Sequence, residues 1–280
     1  MNSTAMINGN LLVQNTRSAV EHLKCCRLCE HRCGNDRTQG HKGKCHALAD
    51  VRVFRHRVEW GEEPELVPSH LFYTSGCDLR CKFCIAEQNA FNPQIGTLLT
   101  TEFLRTSIAW GRTQGAKNIQ WVGGEPTIHL PGILEAMQQI DDLPDVVWKS
   151  DFYATPEALN LLEGVVKYYV ADFKFGNNHC ATQIAGVPRY VETVARNLRH
   201  VADRGILIIR HLLLPGHFEC CYVPLVKWVA EHLPNVRFSL RDGYLPKWQA
   251  RNHPMLNAVV SGKESKMARN FAIAEGLRLV

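Results

Sequence analysis

The stretch Ser75-Gly-Cys77-Asp-Leu-Arg-Cys81-Lys-Phe-Cys84 carries three cysteines in the spacing CxxxCxxC. Three thiolates this close in sequence can hold three irons of a cubane cluster, which leaves the fourth iron without a protein ligand. An iron in that state can bind a substrate or a cofactor. A structural zinc ion is the alternative, but zinc favours four ligands arranged in CxxC-type pairs. The spacing therefore predicts an open [4Fe-4S] cluster held by Cys77, Cys81 and Cys84.

A second group of cysteines lies near the N-terminus, in Cys26-Arg-Leu-Cys29-Glu-His-Arg-Cys33 and, after a glycine-spaced loop, at Cys45. This is ligand spacing, because glycines such as Gly40 and Gly43 let a knuckle turn tightly around an ion. Four cysteine sulfurs supply all four protein ligands of such a site and leave no coordination position open to a substrate or cofactor. We therefore expect either structural zinc or a second [4Fe-4S] cluster. Iron is slightly favoured, because the first motif already implies iron–sulfur assembly on this chain.

Other metal-type side chains share this N-terminal segment. Cys25 adjoins Cys26 and could replace it as a ligand, but Cys26 gives the regular CxxC spacing. His31, His41 and His46 lie in the same loop. Most histidines in such a position are simply solvated, so we expect the four cysteines to be the ligands.

The rest of the chain repeats a rhythm of strand and helix. Residues 51–58 alternate apolar with basic side chains and predict a half-exposed strand, which ends at Gly61-Glu-Glu-Pro64. Buried strands are predicted at 71–75, 118–122, 146–150, 168–173, 206–213 and 236–240, and amphipathic helices at 101–113, 131–140, 156–162, 190–204 and 225–232. This alternation is typical of a parallel sheet covered by helices. We predict an α/β fold, a partial (β/α)6 TIM-type barrel at 66–280, preceded by a small cysteine-rich metal-binding knuckle at 1–65.

Length, composition and charge exclude several classes of protein. The 280 residues, 45% of them hydrophobic, suffice for a barrel-sized domain with a small appendage. A net charge of +5, with basic and acidic residues interleaved, gives no reason to expect nucleic acid. Residues 1–20 lack the apolar core of a signal peptide, and no apolar run is long enough for a membrane span. We expect a cytoplasmic protein, without a membrane partner, whose cysteines mostly serve metals.

Polar motifs follow the predicted strands at their carboxyl ends, where barrels of this kind gather their active sites. After the second buried strand, Gly123-Gly124-Glu125-Pro126 combines glycines that permit close backbone approach with a carboxylate that can accept hydrogen bonds from an ammonium group.

The fourth strand ends at Asp172-Phe-Lys174, whose charges share one face because side chains alternate. An ordinary salt bridge is the alternative there. The fifth ends at Arg210, a planar cation suited to a carboxylate, while His211 faces the other way and is expected to be structural.

The three-cysteine motif, with Gly76 before it and Phe83 ahead of its last cysteine, resembles the radical S-adenosylmethionine (radical SAM) superfamily. The resemblance implies that S-adenosylmethionine chelates the open iron. An electron from the cluster then gives methionine and a 5′-deoxyadenosyl radical, which takes a hydrogen atom from an unreactive position. In that family the turn matching Gly123-Gly124-Glu125 binds the methionyl amino group of the cofactor. The resemblance also implies an electron donor such as flavodoxin or ferredoxin.

The likeness is closest to one branch, the proteins similar to pyruvate formate-lyase-activating enzyme that carry an N-terminal four-cysteine knuckle. It runs from about Cys26 to the C-terminal Gly276-Leu277. In the activating enzymes of glycyl radical enzymes, a DxK motif and an arginine strand help to hold S-adenosylmethionine. The resemblance therefore places Asp172, Lys174 and Arg210 in the cofactor site.

This chain departs from that branch in two places. Where activating enzymes have a Thr-Asn-Gly-type or Thr-Ser-Gly-type turn, this chain has Trp148-Lys149-Ser150-Asp151. We assign Lys149 and Ser150 to the cofactor site, with the Lys149 ammonium where a metal cation would otherwise sit. A solvated surface lysine is the alternative. After Cys84, Ile85-Ala-Glu87 stands in place of the usual Gln-Asn, so the substrate of the branch does not transfer directly.

Three functions are open at this point. The leading interpretation, implied by the likeness to activating enzymes, is hydrogen abstraction from a protein or peptide. The alternative is an epimerase or similar catalyst acting on a small polar molecule such as a sugar. An epimerase must return a hydrogen atom, usually from a thiol, and Cys180, Cys220 and Cys221 follow the fourth and fifth strands. A non-catalytic iron–sulfur electron carrier is disfavoured, because it needs no cofactor cradle.

Overall fold

The chain has an α/β fold in which helices alternate with the strands of a mostly parallel, open sheet. The structure is a computed structural model that describes residues 9–61 and 63–280. Residues 1–8 of the predicted knuckle lie outside the described residues. So does residue 62, within the segment predicted to end the first strand. The α/β class and the open, mostly parallel sheet are confirmed.

The element bounds are as follows. The strands among the described residues are β1 (Arg52–Glu59), β2 (Ser69–Thr74), β3 (Thr97–Leu98), β4 (Asn118–Gly123), β5 (Asp145–Ser150), β6 (Tyr168–Asp172), β7 (Ile206–Leu212), β8 (Arg237–Arg241) and β9 (Arg278–Leu279). The α-helices there are α1 (Gly9–Glu21), α2 (Glu87–Ala90), α3 (Thr101–Thr113), α4 (Leu130–Met137), α5 (Pro156–Asn160), α6 (Asn178–Ala185), α7 (Tyr190–Val201), α8 (Val223–His232) and α9 (Gly262–Ala274). Short 3-10 helices occupy Pro126–His129 and Trp248–Asn252, and a π-helical turn occupies Phe218–Tyr222.

The repeating strand and helix pattern matches the prediction closely. The six predicted buried strands are β2, β4, β5, β6, β7 and β8, and the five predicted helices are α3, α4, α5, α7 and α8. The half-exposed strand predicted at 51–58 is β1. The prediction contains no counterpart for α1, α2, α6, α9, β3 or β9. No helix in the described ranges has the length and hydropathy to cross a bilayer.

The first of two compact units contains the described residues up to Asp78, together with Asn89–Lys149 and Ala154–Tyr169. Its strands lie in the order β3-β1-β2-β4-β5. Strand β1 is antiparallel to β2 and β3, whereas β2, β4 and β5 are parallel to one another. The buried rings of Phe72 and Trp121, on neighbouring strands, lie 5.2 Å apart in its core. Burial of these large apolar side chains is the main stabilising contribution of such strands.

The second unit contains Leu79–Gln88, Ser150–Tyr153 and Val170–Val280. Its strands β7, β8 and β9 are parallel neighbours, and β6 contributes residues to both units. Helix α7 buries Tyr190, Val194 and Leu198 on one face, as its predicted amphipathic pattern requires. The predicted division of the chain at residue 65, into a knuckle and a barrel, stays a prediction.

Within the first unit, the chain leaving β2 and the chain leaving β4 run in direct backbone contact. The Gly124 N–H donates to the Thr74 carbonyl and the Glu125 N–H donates to the Gly76 carbonyl, each at 2.8 Å. A Cβ at position 124 would lie 1.7 Å from the Gly76 oxygen, and one at position 123 would lie 2.3 Å from the Thr74 nitrogen. The backbone of Gly123 also has a positive φ of 130°. Packing therefore requires glycine at both positions, and the backbone conformation requires it at position 123 as well.

We predict that Gly124→Ala disrupts this contact. The clash is with a backbone carbonyl, so no side chain can move aside, and the unfolding free energy should fall by at least about 2 kcal/mol. Amide hydrogen exchange at positions 124 and 125 should also become faster. Gly243→Ala is the matched control, because a Cβ there meets nothing within 4 Å. Equal melting temperatures and exchange rates in the two variants would contradict the prediction.

Candidate cluster and cofactor site

The three-cysteine loop presents free thiols in largely buried positions. Cys77, in the first unit, is 9% exposed, and Cys81, in the second unit, is 8% exposed. Cys84 is half-buried, and none of the three forms a disulfide. Free, closely spaced thiols are the donor set that an iron–sulfur cluster takes, so the residues present fit the predicted cluster.

The part of this loop in the second unit is fixed through its backbone. The N–H groups of Arg80 and Lys82 each donate at 2.9 Å, to the carbonyls of Ala185 and Ile184 at the end of α6. The Cys84 N–H donates to the Cys81 carbonyl at 3.0 Å, which makes a tight turn between the two sulfurs. Cys81 and Cys84 are therefore held by backbone hydrogen bonds that do not depend on their side chains.

The thiols of this turn need a cation to hold them deprotonated. Burial raises the pKa of Cys81 to about 12, while the charge of Lys174 acts in the opposite direction. Burial also raises the pKa of Cys84. Burial disfavours the negative charge of a thiolate. A metal that binds the thiolate replaces the proton outright, so bound iron would compensate that charge.

The predicted Asp172, Lys174 and Arg210 come together in the second unit. Lys174 Nζ lies 2.5 Å from Asp172 Oδ2, and Arg210 Nε lies 3.6 Å from Asp172 Oδ1. The side chains are 26%, 19% and 26% exposed for Asp172, Lys174 and Arg210, so the group is reachable but mostly buried. Burial lowers the pKa of Lys174, but Asp172 and then Cys81 outweigh it, so the net shift is upward and the ammonium stays charged. The arrangement offers two cations around one carboxylate.

Tyr190 holds the backbone of this motif and was missed in the sequence analysis. Its hydroxyl donates to the Asp172 carbonyl and accepts from the Lys174 N–H, each at 2.9 Å. Tyr190 is completely buried at the start of α7. A tyrosine at the start of an amphipathic helix indicates only a core position. The sequence does not show which backbone groups its hydroxyl will bind, because the tertiary fold determines them. His211 is buried, as expected for a structural residue, and its Nδ1 lies 2.7 Å from the Phe173 carbonyl.

The remaining predicted cofactor residues have defined positions in their own units. Phe83 is buried with its ring 6.1 Å from that of Tyr244 and 6.4 Å from that of Phe175, so packing alone accounts for its position. Glu125 is 2% exposed, and one of its carboxylate oxygens accepts from the Thr127 N–H at 2.9 Å as the cap of a 3-10 helix. The contacts of these residues with a cofactor stay predictions.

Lys149 is buried at the end of β5, with only 7% of its surface exposed. The alternative of a solvated surface lysine is therefore wrong. Ser150 follows it and accepts a hydrogen bond from the Phe152 N–H at 3.1 Å. This bond orders the turn after β5, in which Phe152 has a positive φ of 58°. A non-glycine residue in that conformation is uncommon and is often found near functional sites.

The four predicted knuckle cysteines line one cavity in the first unit. Its wall contains Cys26, Cys29, Cys33 and Cys45, with apolar residues that include Leu28 and Ala47. Cys25 is exposed and lies outside this lining, as do His31, His41 and His46. A Cβ at Gly43 would lie 2.7 Å from the Cys33 sulfur, so that glycine leaves room for the thiol. Four sulfurs around one cavity fit a closed metal site.

Arg37 supplies a positive charge beside the knuckle thiols and was not singled out from the sequence. It is 3% exposed and donates to the Ala47 carbonyl at 3.1 Å and to the Ile128 carbonyl at 2.6 Å. Its Nη1 also lies 3.9 Å from the Cys26 sulfur. Burial raises the pKa values of Cys29 and Cys45, and the Arg37 charge lowers that of Cys45. A buried arginine partly compensates the charge of a thiolate-bound metal.

The three candidate hydrogen donors also come together, in the second unit. Cys180 and Cys220 have sulfurs 3.9 Å apart, and Asn177 Nδ2 lies within 3.4 Å of the sulfurs of Cys180 and Cys221. Cys180 and Cys221 are buried, whereas Cys220 is exposed. Their role as hydrogen donors stays a prediction.

Comparisons with known proteins agree with these features. Residues 71–229 match the family described as the Radical SAM superfamily. An uncharacterized protein of Methanocaldococcus jannaschii, MJ0674, is 32% identical over all of this chain and 83% of its own length. A GTP 3′,8-cyclase of Pelotomaculum thermopropionicum is 29% identical over only 26% of this chain and 22% of its own length.

Solved structures show the same fold at low sequence identity. HydG, a maturase of the [FeFe]-hydrogenase, is similar over 100% of this chain and 72% of its own, with a TM-score of 0.54 and 14% identity. SuiB of Streptococcus suis, solved with S-adenosylmethionine, is similar over 73% of this chain, with a TM-score of 0.51 and 14% identity; the match covers 47% of SuiB. The family match covers more than half of the chain, and the M. jannaschii relative covers it entirely. The chain therefore belongs to the radical SAM superfamily.

Proposed function

We propose that this radical SAM enzyme abstracts a hydrogen atom from a protein or peptide substrate, in the manner of the activating enzymes that it resembles. In this proposal, S-adenosylmethionine bound to the cluster supplies the 5′-deoxyadenosyl radical when flavodoxin, ferredoxin or a similar donor provides the electron. The observation that supports the cofactor part of this proposal is the group of Asp172, Lys174 and Arg210, in which the charge of Lys174 also opposes the rise that burial causes in the pKa of Cys81. The choice of a protein or peptide substrate rests on the resemblance to activating enzymes.

The charges in this group match an α-amino acid. Lys174 and Arg210 bind the carboxylate of the methionyl moiety, since both are cations that are partly exposed. Asp172 lies between them and holds both side chains in place. Glu125, in the first unit, is the proposed acceptor for the ammonium group, and its carboxylate also caps a 3-10 helix through the Thr127 N–H. Tyr190 positions the motif through the backbone.

The knuckle holds a second [4Fe-4S] cluster in this proposal. Its support is the cavity that Cys26, Cys29, Cys33 and Cys45 line, together with the buried positive charge of Arg37. Apolar residues in the cavity wall, such as Leu28 and Ala47, would limit the access of water to a cluster. The protein then carries one open cluster for chemistry and one closed cluster, in a cytoplasmic setting that preserves both.

The source of the abstracted hydrogen tests the proposed function. The reconstituted protein is reduced with dithionite and given S-adenosylmethionine, together with an extract of the source organism grown in deuterated medium. Dialysis separates the extract into macromolecules and small molecules. We expect 5′-deoxyadenosine to gain deuterium, detected by mass spectrometry, only from the macromolecular fraction, and protease treatment of that fraction should remove the effect.

Two results would contradict this expectation. Deuterium that comes only from the dialysable fraction would favour the epimerase or another catalyst of small polar molecules. Absence of 5′-deoxyadenosine from every sample, with a full complement of iron, would argue against radical chemistry altogether.

Lys149 is the residue of the cofactor site in which this chain departs from activating enzymes. Its buried ammonium supplies a fixed positive charge where a metal cation would otherwise sit. Lys149→Ala should therefore weaken S-adenosylmethionine binding by about tenfold, which is about 1.4 kcal/mol, and potassium should partly restore it. Calorimetric titration of the reconstituted protein measures both effects. Lys266→Ala is the matched control, because Lys266 is exposed on α9. Equal affinities of the two variants, with and without potassium, would remove Lys149 from the site.

A further inference from the structure

Three metal-type ligands converge in the second unit, outside the residues assigned to the clusters and the cofactor. One donor atom from each of Cys180, His217 and Cys220 lies within 4.8 Å of the other two. We infer that these three side chains bind a zinc ion, at a site additional to the loop of Cys77 and to the knuckle.

The distance between the two sulfurs fits a single ion. Cys180 Sγ and Cys220 Sγ lie 3.9 Å apart. Two thiolates bound at about 2.3 Å to one tetrahedral zinc ion lie about 3.8 Å apart. A disulfide would need the sulfurs at about 2.0 Å, and both cysteines are free. The thiolates of a cubane bind different irons, so they stand farther apart than two ligands of one ion.

His217 has the tautomer that a metal ligand needs. It is 3% exposed, and its Nδ1 lies 2.8 Å from the Pro215 carbonyl oxygen. A carbonyl can only accept, so Nδ1 carries the hydrogen and Nε2 keeps a lone pair. Metal-binding histidines commonly donate their second ring N–H to a backbone carbonyl in this way, which fixes the ring orientation. The hydrogen bond therefore prepares Nε2 for a cation.

A π-helical turn brings the histidine and one cysteine together. The N–H groups of Cys221 and Tyr222 both donate to the His217 carbonyl at 3.1 Å, which starts the turn Phe218–Tyr222. Turns of this kind are rare and are often found at functional sites. The third ligand, Cys180, comes from the first turn of α6. The two elements meet at the proposed ion.

Asn177 fixes the position of both elements. Its Oδ1 accepts from the Cys180 N–H at 2.7 Å, which caps α6, and its Nδ2 donates to the Cys220 carbonyl at 2.5 Å. The preceding Gly176 lies so close to the turn that a Cβ there would be 1.9 Å from the Cys221 oxygen. The ligands are thus held by hydrogen bonds and backbone packing before any ion binds, which lowers the entropic cost of binding.

The ligand set defines the chemistry of the site. A thiol that binds zinc does so as the thiolate, and its proton goes to solvent. Three protein ligands leave a fourth tetrahedral position for water or another small ligand, and one of the three, Cys220, is exposed. A thiolate on zinc has no S–H hydrogen to donate. The zinc site and the predicted role of Cys180 and Cys220 as hydrogen donors therefore exclude each other.

Metal analysis of the holoprotein tests this inference. The protein is purified anaerobically from cells supplied with iron and zinc, and both metals are counted per chain by mass spectrometry. Cys180→Ser, Cys220→Ser and His217→Ala should each contain about one zinc fewer than the unmodified protein, with unchanged iron. Counting the difference makes the result independent of any zinc in the knuckle. Cys220→Ser is the most informative variant, because its exposed side chain disturbs folding least.

Matched controls come from neighbouring residues. Cys221→Ser and His179→Ala should keep the full zinc content, since neither side chain belongs to the group of three ligands. Circular dichroism checks that each variant folds. Equal zinc in Cys220→Ser and the unmodified protein would overturn the inference, as would loss of zinc from Cys221→Ser. A Cys180–Cys220 disulfide in the anaerobic protein, or iron lost together with the zinc, would also overturn it.

Discussion

One carbonyl oxygen, that of Gly76, occupies the space that a side chain at position 124 would need. The chain after β2 and the turn after β4 must therefore share a backbone contact, and only glycine permits it. The same contact aligns the start of the three-cysteine loop with the turn that carries Glu125. The proposed first cluster ligand and the proposed ammonium acceptor thus depend on one close approach between parallel strands.

Charge imposes the second constraint. Asp172 lies between two cations, and Lys174 acts electrostatically on the thiol of Cys81. Two cations around one carboxylate leave a net positive charge, which the carboxylate of the proposed cofactor would balance. The hydroxyl of Tyr190 forms hydrogen bonds with the backbone of Asp172 and of Lys174, which fixes the segment that carries these two charges. In the knuckle, the buried Arg37 likewise places a positive charge beside the thiol of Cys26.

The sequence predicts the repeating strands well, because each is a short apolar run followed by a polar motif, and the cysteine spacings are local. It predicts short elements and distant partners poorly. Helix α6 is only eight residues long and its start is polar. The longer α9 begins with a capping box of Ser261 and Glu264, a local signal from which this helix could have been predicted. The role of Arg37 depends on Ile128, far along the chain, and the π-helical turn depends on tertiary packing. No local pattern signals either one.

The central claim is that Cys77, Cys81 and Cys84 hold a cluster at which S-adenosylmethionine is cleaved. The most direct measurement is formation of 5′-deoxyadenosine by the reduced protein, compared with a variant in which all three cysteines are alanine, with iron determined in the same samples. The account predicts cleavage with about eight irons per chain, and no cleavage with about four irons in the variant, since the knuckle cluster remains. Cleavage by the triple variant, with its iron content unchanged, would contradict the account.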